Sequence, residues 1–342
     1  MMMSIKKNNK FKYAVVFMTA IIIAILLSAL YIQVQYSPVA SQDETIIKVV
    51  IPEQSTAAQI GKLLKKEQLI RSEFVYNYYL RNNELATKLK PGQYSFNRSQ
   101  SMQEIIKMIA EGKTDQSIFT IPEGYTVEKI GKLLVSKEII ADYQLWEQGL
   151  HQSYDDDFLP RLNPRQKLPL EGYLFPDTYM VSGSTSPEDI INMMLKNFEQ
   201  KWQNQFAAMA QQQNMSMEKA IIIASMVERE AQKADERRTI SGVIKNRLER
   251  GMLLQIDATV MYGLNEEKKA LLYSDLEIES PYNTYKYPGL PPGPIACPGS
   301  DSIQAALNPE AHDYLYYVAK GDGSHHFSRT YQEHLNATSL YQ

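Results

Sequence analysis

The hydrophobic pattern opens with an uninterrupted apolar run. From Tyr13 to Val34 there is no charged residue, and Val, Ile, Leu, Ala and Phe dominate. About 20 such residues span the hydrocarbon layer of a bilayer as a helix, so the run predicts a transmembrane helix over 13–34. A cleaved signal peptide would have a shorter apolar region with a small-x-small site close behind it. Pro38-Val39-Ala40 is a poor site of that kind, which favours an uncleaved anchor. Residues 35–44, with Ser, Pro, Gln and Asp, read as a linker.

The pattern then changes period. Ile46–Ile51 is rich in β-branched residues and predicts a strand. Ser55 or Thr56 can cap a helix with Ile60, Leu63 and Leu64 on its apolar stripe, and a second helix is expected over Ser72–Leu80. Gly92–Phe96 alternates as a strand. Ser101 and Glu104 form a capping box ahead of Ile105, Ile106 and Ile109, and Gly112 can stop that helix. Much of this recurs 70 residues later: residues 51–70 and 121–140 share 10 identities in 20 positions, including Ile-Pro-Glu and Ile-Gly-Lys-Leu-Leu. Such self-similarity implies a duplicated structural unit, its second copy running from Ser117 to about Leu150.

Tyr154–Gln166, rich in Asp, Pro and Arg, reads as a boundary loop. Ser216 can cap a helix reaching about Gln232 that is apolar on nearly every side over Ala220–Val227, the mark of a buried helix. The next helix is expected over Asp235–Arg250, with Ile240, Val243, Ile244 and Leu248 inward and Gly251 as its stop. The expected fold class is α+β: a single N-terminal transmembrane helix, one or more small α/β units, then an α+β catalytic domain. In residues this is a tail at 1–12, the span at 13–34, the linker at 35–44, a first unit at 45–115, and a second unit with the catalytic domain at 116–342.

Charge orients the chain. Lys6, Lys7, Lys10 and Lys12 precede the apolar run with no acid among them, so the positive-inside rule leaves the N-terminus in the cytoplasm and everything after Gln35 outside. The rest carries 32 basic against 39 acidic residues, which argues against nucleic acid as a partner. Cys297 is the sole cysteine, so no intrachain disulfide exists. No CxxC or HExxH spacing occurs, and His325-His326 are adjacent and point apart, so neither a metal nor another cofactor is expected.

One buried helix carries chemistry at its end. At about 100° per residue, Glu228 falls in line with Ile221, Ala224, Ser225 and Ala231, and the small side chains of the last three leave open space above its carboxyl, while Glu230 falls on the opposite side. Burial there would raise the pKa of Glu228, as protonating a glycosidic oxygen requires. Pairing with Arg237, Arg238 or Arg247 is the structural alternative. Asn246 and Arg247 are candidate polar groups turned toward the site, as are Gln255, Asp257 and Tyr262 in the segment that follows. Tyr282-Asn283-Thr284-Tyr285 and the stiff loop Gly289-Leu290-Pro291-Pro292-Gly293-Pro294 offer flat apolar faces and amides, which suit sugars.

Here a resemblance becomes specific. Ala224-Ser225-Met226-Val227-Glu228-Arg229-Glu230, Asn246-Arg247-Leu248, Tyr282–Tyr285 through Gly293, and Leu170-Glu171-Gly172-Tyr173-Leu174-Phe175-Pro176-Asp177-Thr178-Tyr179 resemble the MltG (YceG-like) family of endolytic murein transglycosylases. Cys297 departs from the pattern, standing where a small polar residue is expected. The resemblance covers the whole chain and implies a carbon–oxygen lyase acting on peptidoglycan. It implies Glu228 as the catalytic residue, with Glu171, Tyr173, Ser225, Asn246, Arg247, Gln255, Asp257, Tyr262, Asn283 and Tyr285 as the candidate substrate-binding set. A single carboxylate then suffices, where ordinary glycosidases use two. The strand–helix–helix–strand unit resembles a LysM-type glycan binder, with a spacer as its alternative. Expected partners are glycan strands, the cytoplasmic membrane and peptidoglycan synthases. Two rivals stay open: a lysozyme-like muramidase with Asp257 or Glu171 as second carboxylate, and a non-catalytic wall-binding scaffold.

Overall fold

No Gly or Pro interrupts the chain between Ser4 and Pro38. In the computed structural model one helix, α1 (Ser4–Tyr36), fills this stretch. Its part Lys12–Tyr36 is long and apolar enough to cross a membrane. The helix therefore runs beyond the expected span into both the tail and the linker, and ends ahead of Pro38, whose ring disfavours helix in the residue before it. The structure describes residues 4–152, 154, 158–159, 165–182, 185–266, 268 and 270–341, and of 4–11 and 116 the backbone only. Contacts divide the chain into two compact units, Met1–Ser117 with Val181–Thr185, and Ile118–Met180 with Ser186–Gln342.

In the first unit α1 is followed by β1 (Ile47–Ile51), α2 (Ala57–Lys66), α3 (Glu73–Asn82), β2 (Gly92–Phe96) and α4 (Met102–Glu111). β1 pairs antiparallel with β2, Val49 opposite Tyr94. Alternation turns Val49, Ile51, Tyr94 and Phe96 inward onto Ile60, Leu64, Tyr76, Ile105 and Ile106, all buried. The caps explain the helix starts. Thr56 and Gln59 close a capping box, Ser72 caps α3, and Ser101 and Glu104 close another box. Gly112, at φ 73, ends α4 in the left-handed conformation that favours glycine.

The second copy of the repeat supplies β3 (Gln116–Thr120), α5 (Val127–Ser136), α6 (Tyr143–Leu150) and β4 (Thr178–Ser182), with β3 and β4 paired. The repeat has a packing reason. A Cβ on Gly61 would meet Tyr76 at 2.8 Å, and one on the equivalent Gly131 would meet Trp146 at 2.3 Å. In each copy a bare helix turn lets the aromatic of the next helix lie flush on it. Gln68 and Glu138, also equivalent, share a left-handed backbone, at φ 58 and 56. The return strand β4 was hidden from pattern reading because the second copy is stretched before it. Part of the expected loop Tyr154–Gln166 falls in that stretch; its residues 155–157 and 160–164 lie outside the described residues.

The second unit continues with α7 (Pro187–Lys201), a π-turn over Trp202–Phe206, α8 (Ala207–Gln212), α9 (Met217–Glu230), α10 (Arg237–Glu249), α11 (Asp257–Leu264), α12 (Ser300–Leu307), the hairpin of β5 (Tyr316–Ala319) and β6 (His325–Ser328), and α13 (Tyr331–Tyr341). Every residue of α9 from Ala220 to Val227 is buried, against α10, α11 and α12 among others. The helix stops at Glu230 because Ala231 turns extended, and α10 starts at Arg237 after a 3-10 turn over Ala234–Glu236. The chain is thus a mixed α+β protein with one N-terminal apolar helix, as expected.

Candidate active site

α9 ends on two carboxylates that face different surroundings. Glu230 borders a cavity of about 660 Å³. Its walls come from the end of α9, Arg247 of α10, Gln255 and Asp257 at the start of α11, Tyr285, Tyr316 and Tyr317 of β5, His325 of β6, and Tyr331 and His334 of α13. Tyr273 completes a set of five tyrosines, each an apolar ring with a polar tip, a lining that suits sugar rings. The Tyr317 hydroxyl donates to Glu230 Oε2 at 2.9 Å, and the Ala258 N–H in the first turn of α11 also donates to that carboxyl. Burial raises the Glu230 pKa, and the negative Asp257 adds to the rise; the Tyr317 and Ala258 bonds and the nearby His325 oppose it. Asp257 Oδ1 in turn accepts from the Tyr285 hydroxyl at 2.5 Å. Behind Tyr317, the edge of the His325 ring lies 5.4 Å away, centroid to centroid. Glu236 holds that histidine twice, at its N–H (2.9 Å) and at Nδ1 (2.7 Å).

Glu228 is placed otherwise than its helical position suggests. The open space expected above its carboxyl is filled. Oε2 accepts the Gly299 N–H at 3.1 Å, at the start of α12. Arg237 Nη2 lies 3.8 Å from Oε1, and the Glu228 side chain is only 7% exposed. On the near side Gly124 closes in, so that a Cβ there would sit 3.5 Å from Glu228 Cγ. Glu123 is close enough that the Glu228 charge, after burial, helps raise its pKa. Glu228 thus holds the residue just before α12 with an arginine beside it, and it does not line the cavity with Glu230.

Residues 49–339 match the YceG-like family. The chain belongs to that family. A relative from Bacillus subtilis (strain 168), named an endolytic murein transglycosylase, is 36% identical over 315 residues, covering 89% of this chain and 87% of its own length. One of the same name from Streptococcus pneumoniae (D39) is 30% identical over 326 residues, covering 87% of this chain but 58% of its own length. A crystallised YceG-like protein from Listeria monocytogenes superposes with a TM-score of 0.60 at 35% identity, covering 86% of this chain and 99% of its own.

The other expected site residues of this YceG-like chain fall into two groups. Arg247, Gln255, Asp257 and Tyr285 line the cavity. Arg247 does so with most of its donors occupied: Nε bonds the Leu315 carbonyl at 2.6 Å and Nη1 the Leu254 carbonyl at 2.8 Å, so it staples the α11 approach to β5. The remainder build the scaffold. The Asn246 amide bonds the carbonyls of His312 and Tyr314, at 2.8 and 3.0 Å. The Asn283 amide bonds those of Leu276 and Ile278, also at 2.8 and 3.0 Å. Ser225 takes the Ile295 N–H at 3.1 Å, which ties the proline-rich loop to α9. Tyr173 is buried edge-on against Phe198, ring centroids 5.5 Å apart. Glu171 and Tyr262 form a pair of their own, apart from the cavity: the hydroxyl bonds Oε2 at 3.0 Å, and the Val127 N–H bonds Oε1 at 3.1 Å. Cys297 is buried, its sulfur 4.0 Å from Glu171. Among the described residues no three His, Cys, Asp or Glu side chains converge on a metal position. Tyr316, Tyr317 and His325, which line the cavity, and Glu236, which holds His325, stand in no motif of the sequence, the adjacent pair His325-His326 being the one local signal near them.

Proposed function

We propose that this YceG-like protein is a membrane-anchored endolytic murein transglycosylase in which Glu230 is the acid/base. The observation that carries the assignment is a carboxyl at the wall of a tyrosine-lined cavity, hydrogen-bonded by Tyr317, with its pKa raised by burial. Glu230 takes the role that helical position and the family resemblance both give to Glu228. Protonated, it donates to the oxygen joining N-acetylmuramic acid C1 to N-acetylglucosamine. The C1–O bond breaks and its electron pair goes to that oxygen. The muramic C6 hydroxyl then attacks C1 and gives its proton to the Glu230 carboxylate, which restores the acid. The products are a 1,6-anhydro end and a free N-acetylglucosamine hydroxyl, and no water is consumed. The internal nucleophile removes the need for a second carboxylate. The strand–helix–helix–strand unit, ordered like a LysM module, is assigned to holding the strand. α1 is assigned as an uncleaved anchor with its N-terminus inside, which keeps the enzyme near strands as synthases make them.

A second reading has one observation behind it. Asp257 also lines the cavity, and a muramidase would use it as the second carboxylate. Mass spectrometry of glycan strands treated with the full chain decides: anhydromuramic ends support the transglycosylase, and reducing muramic ends select the hydrolase.

The same geometry predicts opposite shifts in the pH profile. The negative Asp257 raises the Glu230 pKa, so Asp257→Asn should move the alkaline limb of activity to lower pH. The Tyr317 bond favours the carboxylate, so Tyr317→Phe should move that limb to higher pH. Strand cleavage measured against pH for the three proteins checks both signs. Coincident limbs would remove Glu230 as the titrating acid.

A further inference from the structure

The first unit carries an exposed aromatic face. On α3, Phe74 is 79% exposed and Tyr78 is 47% exposed. They are four residues apart and so share one side of the helix, and Arg81 follows one turn further along that side. These rings do not stand alone. Together with Leu27, Ser28, Tyr31 and Ile32 of α1, and with Val75, they line one apolar groove. Leu27 and Tyr31 are themselves 61% and 58% exposed.

The depth of α1 says what covers it. A hydrocarbon layer takes about 20 helical residues, so the span over 13–34 ends within one turn of Tyr31. Leu27 then lies within the outer leaflet and Tyr31 at its boundary. Whatever lines a groove with Leu27 and Tyr31 lies at that boundary too, and α3 does. Its stripe has the interfacial composition, aromatic rings followed by a cation that can reach headgroups. Lys65 and Arg71 stand with Tyr31 and Gln35 in the neighbouring groove, on the same end of α1.

We infer that α3 is a second membrane contact: Phe74 and Tyr78 insert into the lipid interface beside the outer end of α1, laying the first unit on the bilayer surface. The inference rests on the anchored reading of α1. It turns that anchor from a flexible tether into a seated base.

The test is depth-dependent quenching. The chain has two tryptophans, Trp146 and Trp202, both buried and so shielded from lipid. Full-length Phe74→Trp and Ile22→Trp variants are placed in phosphatidylcholine–phosphatidylglycerol vesicles with bromine on the lipid tails. Ile22 reports the span and Phe74 the proposed contact. The expected result is that each variant loses emission in brominated relative to unbrominated vesicles while the parent does not, Phe74→Trp most with bromine near the headgroups. Loss from Ile22→Trp alone overturns the docked face and leaves the anchor standing. Loss from neither overturns the anchor, and the docked face with it. Circular dichroism matching the parent confirms that the variants fold; at an exposed position a larger ring has room.

Discussion

Glu230→Gln should lower strand cleavage by about 10²–10⁴-fold, the share a positioned acid/base supplies, with the fold intact. Glutamine keeps an oxygen for the Tyr317 hydroxyl, which sits 2.9 Å from the carboxyl, but has no acidic proton to give. Glu228→Gln should do the reverse. Its carboxylate accepts the Gly299 N–H and lies near Arg237. Neutralising it weakens a charge-assisted bond at the start of α12, which costs about 1–3 kcal/mol and leaves the cavity untouched. The paired measurement is anhydromuramic product formed per unit time and the urea midpoint of each variant. A folded Glu230→Gln that keeps cleaving, beside a folded Glu228→Gln that does not, would return the catalytic role to Glu228.

α9 shows why a local pattern marks the place of the site but does not choose between its two glutamates. A helix buried on all sides from Ala220 to Val227 has no polar face to mark which edge opens on a cavity. Both glutamates sit at its end, about 200° apart by helical geometry, and either is a carboxyl at an apolar edge. The choice is made by distant chain. Gly299 and Gly124 close over Glu228, while Tyr317 and Ala258 meet Glu230 and leave its other side open. No local pattern reports which of these loops arrives where. The repeat was legible, down to Gly61 and Gly131, because the two copies bury their aromatics by the same local contact. The amides of Asn246 and Asn283 show a related effect. A polar residue inside a dense motif looks like a ligand to the substrate, and here each bonds two part-buried backbone carbonyls of another segment.

Glu171 extends that lesson to stability. The motif Leu170–Tyr179 looks chemical, yet its glutamate is fully buried and joins the start of α5 to Tyr262 of α11. Gly172 beside it, at φ 88, lets the turn press on Pro294 of the proline-rich loop, where a Cβ would come within 2.6 Å. Burial pushes the Glu171 pKa from its ordinary 4.5 up to about 8, against the pull of the Val127 and Tyr262 bonds. Below the ordinary value both folded and unfolded chains hold the proton, and stability is complete. Between there and about 8 the unfolded chain ionises while the folded chain does not, so stability falls as pH rises. Above that window the folded group is ionised as well and the loss levels off, at a size on the order of 5 kcal/mol. Glu171→Gln removes this dependence, since its amide titrates in neither state. The stability difference, variant minus parent, should therefore climb by several kcal/mol from about pH 5 to about pH 9. Urea unfolding followed by tryptophan emission reads it directly, because Trp146 and Trp202 both lie in the unit that contains Glu171. A difference that stays flat with pH would mean that Glu171 is ionised in the folded protein, with its burial compensated by the Val127 and Tyr262 bonds alone.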